Sequence, residues 1–358
     1  MAKKVLMKGN EAIAEAAIQA GCLYFFGYPI TPQTEIAEYM AKRLPKVGGL
    51  CLQAESEVAA INMTMGAASG GTRAMTSSSS PGIALKSEGI SYIAGCDLPC
   101  LIVNVQRGGP GLGGIQPSQS DYYQATRGVG HGDLRLIVVA PSSVQEMASL
   151  TATAFDLADI YRMPAMLLAD GALGQMMEPV EMPEMIEHDI EKHEIPEKPW
   201  ATVGHKNARE HNIVNSLFID PQVLEDSVRE RYKRYDMVEE KEVRYEEFCT
   251  DDADIVLVAF GITARICKSA VTAAREAGIK AGLLRPITLW PFPKKPIAAL
   301  CEHTKALLSV EMSMGQMVDD VRLAVNGKKP VYFYGRTGGM IPSVEEVTAE
   351  IQKLAAAL

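Results

Sequence analysis

The feature that most restricts the fold of this chain is an alternation of short apolar runs with segments of helical spacing. The runs in the first half are 23–30, 49–53, 72–77, 98–106, 134–141 and 163–170. Between them lie alanine- and methionine-rich stretches whose apolar residues recur every three or four positions, such as Val58, Ile61 and Met65. Strands that alternate with helices are typical of an α/β fold, in which helices cover both faces of a doubly wound parallel sheet.

A second unit with the same alternation follows residue 250. Its predicted strands are 252–260, 280–289, 306–312 and 329–335. Thr263 is predicted to cap a helix that Gly278 ends. Ser343 and Glu346 are spaced as a capping box for the last helix. The pattern predicts a smaller doubly wound domain.

The segment that joins the two units, residues 181–250, differs from both in its charge. It holds 18 Asp and Glu against 10 Lys and Arg, a net charge of −8 in a chain whose total is −9. We therefore expect an acidic connector with partly exposed helices. The segment also contains the histidines at 188, 193, 205 and 211. No i, i+4 pair or carboxylate pattern brings them together, so a metal site is not expected.

Composition argues against several classes of protein. No run reaches 18 apolar residues, so no membrane span is expected, and the first 15 residues lack the pattern of a signal peptide. A pI near 5.3 disfavours binding to duplex nucleic acid. The seven cysteines are dispersed without a C-x-x-C pair, so we expect reduced thiols in a cytoplasmic protein, with no zinc or iron–sulfur cluster of its own.

Three segments that follow predicted strands carry polar residues suited to binding an anion or a cofactor. Thr31 and Pro32 are predicted to open a helix, whose free N–H groups would attract a carboxylate or phosphate. Glu57 precedes an apolar helix, either as a residue stabilised by the helix dipole or as a functional acid with a raised pKa. Ser80 and Pro81 mark a further helix start. Each segment can also be an ordinary helix start, which these residues alone favour for Thr31 and Pro32 and leave open for the other two.

The most glycine-rich stretch begins at Arg107. Gly109, Gly111 and Gly114 match the G-x-G-x-x-G pattern of dinucleotide-binding proteins. No helix can open directly afterwards through residues 115–118, which include a proline, so this match is excluded. What remains is a loop with one arginine, whose guanidinium suits a planar carboxylate.

Two phosphate-binding patterns are absent from the sequence. There is no G-x-x-x-x-G-K-[ST] motif of the nucleotide triphosphatases. There is also no G-D-G followed by Asn, the arrangement that binds Mg²⁺-diphosphate in thiamine enzymes. Residues 169–171 (Ala-Asp-Gly) come nearest, and no such Asn follows them.

Taken together, these motifs resemble the α subunit of 2-oxoacid:ferredoxin oxidoreductases. The motifs that carry the resemblance are GYPITP at 27–32, ESE at 55–57, SSPG at 79–82 and QRGGPG at 106–111. In the second unit, AFGITAR and GLLRPITLWPFP resemble the transketolase C-terminal-like domain of the same subunit. Residues 108–133 look most like the branched-chain members, which act on 2-oxoisovalerate.

The resemblance implies three regions and an activity. Residues 1–180 would be a thiamine diphosphate pyrimidine-binding domain, 181–250 the acidic connector and 251–358 the transketolase C-terminal-like domain. The enzyme would oxidatively decarboxylate a branched-chain 2-oxo acid to an acyl-CoA, with coenzyme A as co-substrate and ferredoxin as electron acceptor.

The resemblance also implies roles for individual residues. Glu57 would contact the ring nitrogen of the aminopyrimidine and so promote deprotonation of the thiazolium C2. Pro29 would pack on the pyrimidine through its backbone. Thr31 and Arg107 would hold the substrate carboxylate. No role follows for Asp121, His131 or Arg336, and no metal ligand is expected in this chain.

The missing motifs imply partner chains. A β subunit would bind Mg²⁺ and the diphosphate, and a ferredoxin-like subunit would carry the iron–sulfur clusters, beside a γ subunit. The active site would then lie between chains. The alternatives are 2-oxoglutarate or pyruvate as substrate, a related thiamine enzyme that uses a lipoyl acceptor or a sugar, and a non-catalytic nucleotide- or flavin-binding electron-transfer module.

Overall fold

A computed structural model of the chain describes residues 4–186 and 197–358. The strands in these ranges are β1 (Val5–Lys8), β2 (Tyr24–Gly27), β3 (Leu50–Gln53), β4 (Ala74–Ser78), β5 (Leu101–Gln106), β6 (Ile137–Val139), β7 (Ala165–Asp170), β8 (Met177–Val180), β9 (Tyr245–Phe248), β10 (Ile255–Val258), β11 (Ala281–Pro286), β12 (Thr288–Trp290), β13 (Ala306–Glu311) and β14 (Val331–Gly335). The α-helices are α1 (Gly9–Gln19), α2 (Thr34–Arg43), α3 (Glu57–Ser69), α4 (Pro81–Gly95), α5 (Val144–Tyr161), α6 (Gly171–Gln175), α7 (Pro221–Lys241), α8 (Gly261–Glu276), α9 (Lys294–Leu300), α10 (Met317–Val325) and α11 (Val344–Ala357). A short 3₁₀ helix spans Leu44–Val47 and a π-helix spans Gln124–Gly128.

The larger sheet has the strand order β12-β6-β7-β5-β4-β2-β3. Its strands from the first half of the chain all run parallel to their neighbours. Every residue of β5 and β7 is buried, as expected for apolar strands in the middle of a helix-covered parallel sheet. The six strands predicted for the first half are thus confirmed. The sequence pattern did not identify β1 and β8, which form a separate antiparallel pair.

The second sheet has the order β14-β13-β10-β11-β9, parallel except for β9. The prediction of a single strand over residues 280–289 is wrong, because this segment divides between the two sheets. Its first part is β11, while β12 pairs antiparallel with β6 of the larger sheet. Near the crossing, the Ala140 N–H donates a hydrogen bond to the Ile287 carbonyl at 2.8 Å. The second unit is therefore joined to the first by backbone pairing.

The division into residues 1–180, 181–250 and 251–358 stays a prediction. Strand β9 lies within the predicted connector and belongs to the second sheet, while β12 extends the first. Part of the connector, together with His188 and His193, falls outside the described residues. His205 and His211, which are described, lie with their rings 3.3 Å apart between Nε2 and Nδ1 on an exposed surface.

Helix α2 does not begin where the sequence predicts. Thr31 is not its N-cap, because the helix starts at Thr34 with Gln33 in the capping position. A contact distant in sequence holds the preceding segment as a loop: Asn10 Nδ2 donates to the Pro32 carbonyl at 2.8 Å. That carbonyl is therefore bound to a side chain of α1.

In the second unit, the start of α11 agrees with the prediction and the start of α8 does not. Helix α8 begins at Gly261 with Phe260 as its N-cap, so Thr263 lies inside the first turn and caps nothing. Its end before Gly278, whose φ is +83°, is as predicted. The capping box of Ser343 and Glu346 at α11 is confirmed. Among the described helices, none is both long and apolar enough to cross a membrane.

Candidate active site

The carboxyl ends of β2, β3, β4 and β5 lie side by side at one edge of the larger sheet. The polar segments singled out in the sequence follow these strands: residues 28–33 after β2, 54–57 after β3, 79–81 after β4 and 107–121 after β5. This edge of a parallel sheet is where α/β proteins bind ligands. The fold therefore brings motifs that are distant in sequence to one site.

Glu57 is the first residue of α3, and its side chain is only 5% exposed. Ser56 caps this helix by accepting a hydrogen bond from the Ala59 N–H at 3.2 Å. The positive end of the helix dipole stabilises a carboxylate at this position. Gly82 at the start of α4 leaves the space for it, because a Cβ there would lie 2.7 Å from Glu57 Oε1. The side chain of Glu57 is thus held in a narrow gap between two helices.

Two buried serine hydroxyls follow β4, and one of them borders the gap that holds this carboxylate. Ser78 Oγ and Ser79 Oγ have no hydrogen-bond partner among the described residues. Ser78 Oγ borders the same gap as Glu57, because a Cβ on Gly82 would lie only 2.0 Å from it. Buried hydroxyls are normally paired. Both hydroxyls therefore have hydrogen-bonding capacity for a polar group of a ligand or for water.

Lys86 is a further charged residue of the site, which the sequence pattern did not identify. Its side chain is fully buried, and Nζ donates to Thr76 Oγ1 at 3.0 Å and to the Glu57 carbonyl at 3.4 Å. Burial lowers the pKa of Lys86 to about 8, while the nearby charge of Glu57 opposes this shift. A charged residue on an apolar helix normally faces solvent, as Glu88 of the same helix does, so no sequence signal marked Lys86 as buried.

Pro29 and Thr31 lie in the loop after β2, and both are exposed. The Thr31 carbonyl oxygen accepts a hydrogen bond from Arg107 Nη1 at 3.0 Å. The structure thus brings Thr31 and Arg107 together, although through the threonine backbone. The helix start predicted at Thr31 does not form, so the loop itself offers no helix dipole at this residue. The binding roles of Pro29 and Thr31 remain predictions.

Arg107 connects the loop after β5 with the loop after β2. It is 7% exposed, and its Nη2 donates to the Leu112 carbonyl at 3.0 Å. Its Nε is buried and has no partner among the described residues. Both acceptors of its terminal nitrogens are neutral carbonyl oxygens, which orient the guanidinium without neutralising its charge. The group is therefore held in place with binding capacity for an anion.

The glycines after Arg107 let the loop close on itself. The Gly108 N–H donates to the Gln116 carbonyl and the Gly114 N–H to the Gly108 carbonyl, both at 2.9 Å. Gly113 has a φ of +62°, and a Cβ there would lie 1.8 Å from the Gly108 oxygen. No helix follows before residue 122, as predicted, so this is not a dinucleotide-binding turn.

Asp121 lies directly behind this loop. Its Oδ2 accepts hydrogen bonds from Ser80 Oγ at 2.6 Å and from Asn104 Nδ2 at 2.9 Å. Burial raises the pKa of Asp121, and the two hydrogen bonds oppose that shift. Ser80 occupies the N-cap position of α4 but does not cap it, because its hydroxyl is bound to Asp121. The predicted helix start at Ser80 and Pro81 is otherwise confirmed.

The second unit contacts the site through Gln119, which the sequence did not single out. Its Nε2 donates to the Phe260 carbonyl at 2.8 Å, and its Oε1 accepts from Thr263 Oγ1 at 2.8 Å. Gly339 of the second unit lies against the glycine-rich loop, because a Cβ there would be 2.3 Å from Gln116 Cβ. Both contacts fix the loop from outside the first sheet.

Three other residues from the sequence analysis have structural partners. Asp170 caps α6 by accepting from the N–H groups of Ala172 and Leu173, and burial raises its pKa to about 6. The exposed His131 lies with Nδ1 at 3.2 Å from Ser91 Oγ, and Arg336 pairs with Glu346. No group of three or more metal-ligating side chains occurs in residues 4–186 and 197–358.

Family models match almost the whole chain. Residues 15–247 match the model described as pyruvate flavodoxin/ferredoxin oxidoreductase, thiamine diphosphate-binding. Residues 253–347 match pyruvate:ferredoxin oxidoreductase core domain II.

Curated relatives match nearly the full length of the chain. The ketoisovalerate oxidoreductase subunit VorB of Methanothermobacter marburgensis is 50% identical over 98% of this chain and 97% of its own length. The 2-oxoglutarate synthase subunit KorA of the same organism is 37% identical over 98% of this chain and 99% of its own length.

A solved structure shares the fold. The 2-oxoglutarate:ferredoxin oxidoreductase from Magnetococcus marinus, with 2-oxoglutarate, coenzyme A and succinyl-CoA bound, superposes with a TM-score of 0.83 at 28% identity. The match covers 98% of this chain and 65% of that one, so this chain spans about two thirds of its length. With this fold, these family models and these identities, the chain belongs to the 2-oxoacid:ferredoxin oxidoreductases as an α-type subunit of a thiamine diphosphate-dependent enzyme.

Proposed function

We propose that this chain supplies the pyrimidine half of the thiamine diphosphate site and the group that binds the carboxylate of a branched-chain 2-oxo acid. The preferred substrate is 2-oxoisovalerate, which the complete enzyme converts to an acyl-CoA with ferredoxin as electron acceptor. The observation that carries the proposal is the buried guanidinium of Arg107. Two neutral carbonyls orient it and its Nε is unpaired, at the same sheet edge as the buried carboxylate of Glu57.

The residues around Glu57 fit the aminopyrimidine of the cofactor. A buried carboxylate at a helix start can share a proton with a ring nitrogen, and the unpaired hydroxyls of Ser78 and Ser79 can bond further polar atoms. Bound thiamine diphosphate supplies a carbon nucleophile and accepts the electrons released by decarboxylation. Pro29, exposed at the same edge, packs on the ring through its backbone. The role of Glu57 is thus to hold the proton that the ring nitrogen needs.

Arg107 binds the substrate carboxylate in this proposal. All 2-oxo acids share that group, so the guanidinium fixes the 2-oxo carbon without reading the side chain. The carbonyl of Thr31 holds Arg107 in place, and the exposed Thr31 hydroxyl adds a hydrogen bond to the carboxylate. Orientation of the reacting carbon is therefore the contribution of these two residues.

The glycine-rich loop favours a branched apolar substrate over 2-oxoglutarate. Residues 108–126 contain no Lys or Arg that could bind a second carboxylate. The next cation, Arg127, is paired with Asp320 at 2.6 Å. Leu112 and Ile115 are 84% and 58% exposed and offer apolar surface beside the site. The higher identity to the ketoisovalerate subunit than to the 2-oxoglutarate subunit supports the same choice.

The rest of the machinery belongs to partner chains in this proposal. A β subunit holds Mg²⁺ and the diphosphate, and a ferredoxin-like subunit holds the iron–sulfur clusters that pass electrons to ferredoxin. A γ subunit completes the complex, and coenzyme A accepts the acyl group. The relative from Magnetococcus marinus has coenzyme A bound, which supports this co-substrate.

The test is a substrate panel on the complex purified with its partner subunits. With thiamine diphosphate and coenzyme A, reduction of ferredoxin or a viologen dye should be fastest with 2-oxoisovalerate and its longer branched relatives. The chain alone should be inactive, because it contributes half of the site. A preference for 2-oxoglutarate or pyruvate, turnover by the isolated chain, or co-purified flavin without thiamine dependence would each contradict the proposal.

A further inference from the structure

Two successive hydrogen bonds link the carboxylate of Asp121 to the backbone of Arg107. Ser80 stands between them: its Oγ donates to Asp121 and accepts from the Arg107 N–H at 3.0 Å. Asn104 braces the same group, because it donates to Asp121 and its Oδ1 accepts from the Ser80 N–H at 3.1 Å. Three side chains thus form a closed set of hydrogen bonds between the ends of β4 and β5.

The single hydroxyl proton of Ser80 has two acceptors within reach. Asp121 Oδ2 lies at 2.6 Å and the Arg107 carbonyl at 3.2 Å. The carboxylate is nearer and is the stronger acceptor, so it takes the proton. The lone pairs of the hydroxyl then face the Arg107 N–H. Without Asp121 the hydroxyl proton would turn to the Arg107 carbonyl, and the side chain that accepts from the Arg107 N–H would lose its tie to Asp121.

The backbone of Ser80 also needs this support. Its φ of 24° and ψ of −82° lie in a region that non-glycine residues rarely adopt. Such a conformation persists only where neighbouring groups hold it. Asn104 and Asp121 hold Ser80 in this conformation through their hydrogen bonds. Ser80 in turn accepts the hydrogen bond from the Arg107 N–H.

We propose that Asp121 is a positioning residue that fixes the backbone of Arg107 through Ser80, so that the guanidinium meets the substrate carboxylate in place. This inference rests on the proposed function, in which Arg107 binds that carboxylate. The guanidinium is held at its far end by the Thr31 and Leu112 carbonyls. Asp121 holds the other end of the same residue.

The first experiment uses the complete complex with the variants Asp121→Ala and Asp121→Asn. The alanine variant should raise the KM for 2-oxoisovalerate and lower kcat/KM about 10- to 100-fold, because a displaced orienting group costs up to about 10²-fold. The KM for thiamine diphosphate should not change. The asparagine variant should retain most activity, because its amide oxygen still accepts from both donors. Asp133→Ala is the matched control, since Asp133 is exposed in a neighbouring loop.

The second experiment repeats Asp121→Ala in an Arg107→Ala background. If Asp121 acts through Arg107, the second substitution should add little to the loss caused by the first. Ser80→Ala should give the same rise in KM with Asp121 present, so the inference is tested even if the alanine variant at 121 does not assemble.

Loss of the proposed function and loss of the positioning role alone would give different kinetic results. If Arg107→Ala leaves kcat/KM unchanged, the proposed function is wrong. If Arg107→Ala loses activity while Asp121→Ala or Ser80→Ala leaves the KM unchanged, only the positioning role of Asp121 is refuted. Fully additive losses in the double variant would also refute it, as would an equal rise in the KM for thiamine diphosphate.

Discussion

Replacement of Arg107 by alanine is the most direct test of the site. The substitution removes a buried guanidinium whose known contacts are two neutral carbonyl oxygens, each at 3.0 Å. In the proposed complex it also leaves the substrate carboxylate without its cation. Truncation of one partner in a buried charge pair costs about 2–5 kcal/mol. At about 1.4 kcal/mol per factor of ten, kcat/KM should fall about 30- to 4,000-fold.

The loss should be of similar size for every 2-oxo acid, because all of them carry the same carboxylate. Two further variants refine the expectation. Thr31→Val should cost about tenfold at most, since it removes one neutral hydrogen bond worth about 0.5–1.5 kcal/mol and leaves the Thr31 carbonyl in place for Arg107. Arg107→Lys should be intermediate, because one ammonium group cannot satisfy both carbonyls and an anion in the same plane.

The assay is steady-state kinetics of the complex with 2-oxoisovalerate, its longer branched relatives, 2-oxoglutarate and pyruvate, for wild type and each variant. The order of preference among substrates should not change. An effect of Arg107→Ala confined to one substrate would show that the guanidinium reads the side chain instead. A larger loss in Thr31→Val than in Arg107→Ala would place the carboxylate elsewhere.

Three other substitutions test the surroundings of Glu57. Glu57→Gln should lower kcat about 10²- to 10⁴-fold with the fold intact by circular dichroism, whereas an active Glu57→Gln beside an inactive Glu55→Gln would mean that the wrong acid was assigned. Gly82→Ala should displace the Glu57 carboxylate, because the added Cβ would lie 2.7 Å from Oε1; activity should fall and the KM for thiamine diphosphate should rise, and unchanged kinetics would refute the narrow gap. Lys86 has its pKa lowered from 10.5 to about 8, so the unfolded chain binds this proton more tightly and the free energy of unfolding rises with pH between those values. Lys86→Met should therefore raise the free energy of unfolding by up to about 3 kcal/mol below pH 8, a gain that shrinks towards pH 10; thermal unfolding across that range checks it, and a pH-independent difference would contradict it.

Much of the site could be located from the sequence because the ends of the strands can be predicted from the ends of the apolar runs. The apolar runs that end at residues 30, 53, 77 and 106 correspond to β2–β5, and in a parallel sheet their carboxyl ends must share an edge. The motifs that follow them therefore meet at that edge. Glu57 as the first residue of α3 and Ser343 as a helix cap are also local features, set by residues within one turn.

Contacts between residues distant in sequence decided where some helices and strands begin and end. Helix α2 begins after Thr31 because Asn10 holds the Pro32 carbonyl, and residues 280–289 divide between two sheets because β12 pairs with β6. Neither partner is visible in the local pattern. Helix starts and strand limits therefore follow the sequence only where no other element competes for the same backbone groups.

The charged groups of the site were also determined partly by the sequence and partly by the tertiary structure. The sequence by itself determined which charged groups are available at the sheet edge, Glu57 and Arg107 among them, because motif spacing after each strand is a local property. Only the tertiary structure decided their state: Lys86 is buried against Glu57, and Arg107 is oriented by carbonyls from two loops and by Asp121 through Ser80. Burial and hydrogen-bond partners depend on packing between segments that are distant in the chain. Arg107 and Thr31, for example, are 76 residues apart, and no local pattern encodes their contact.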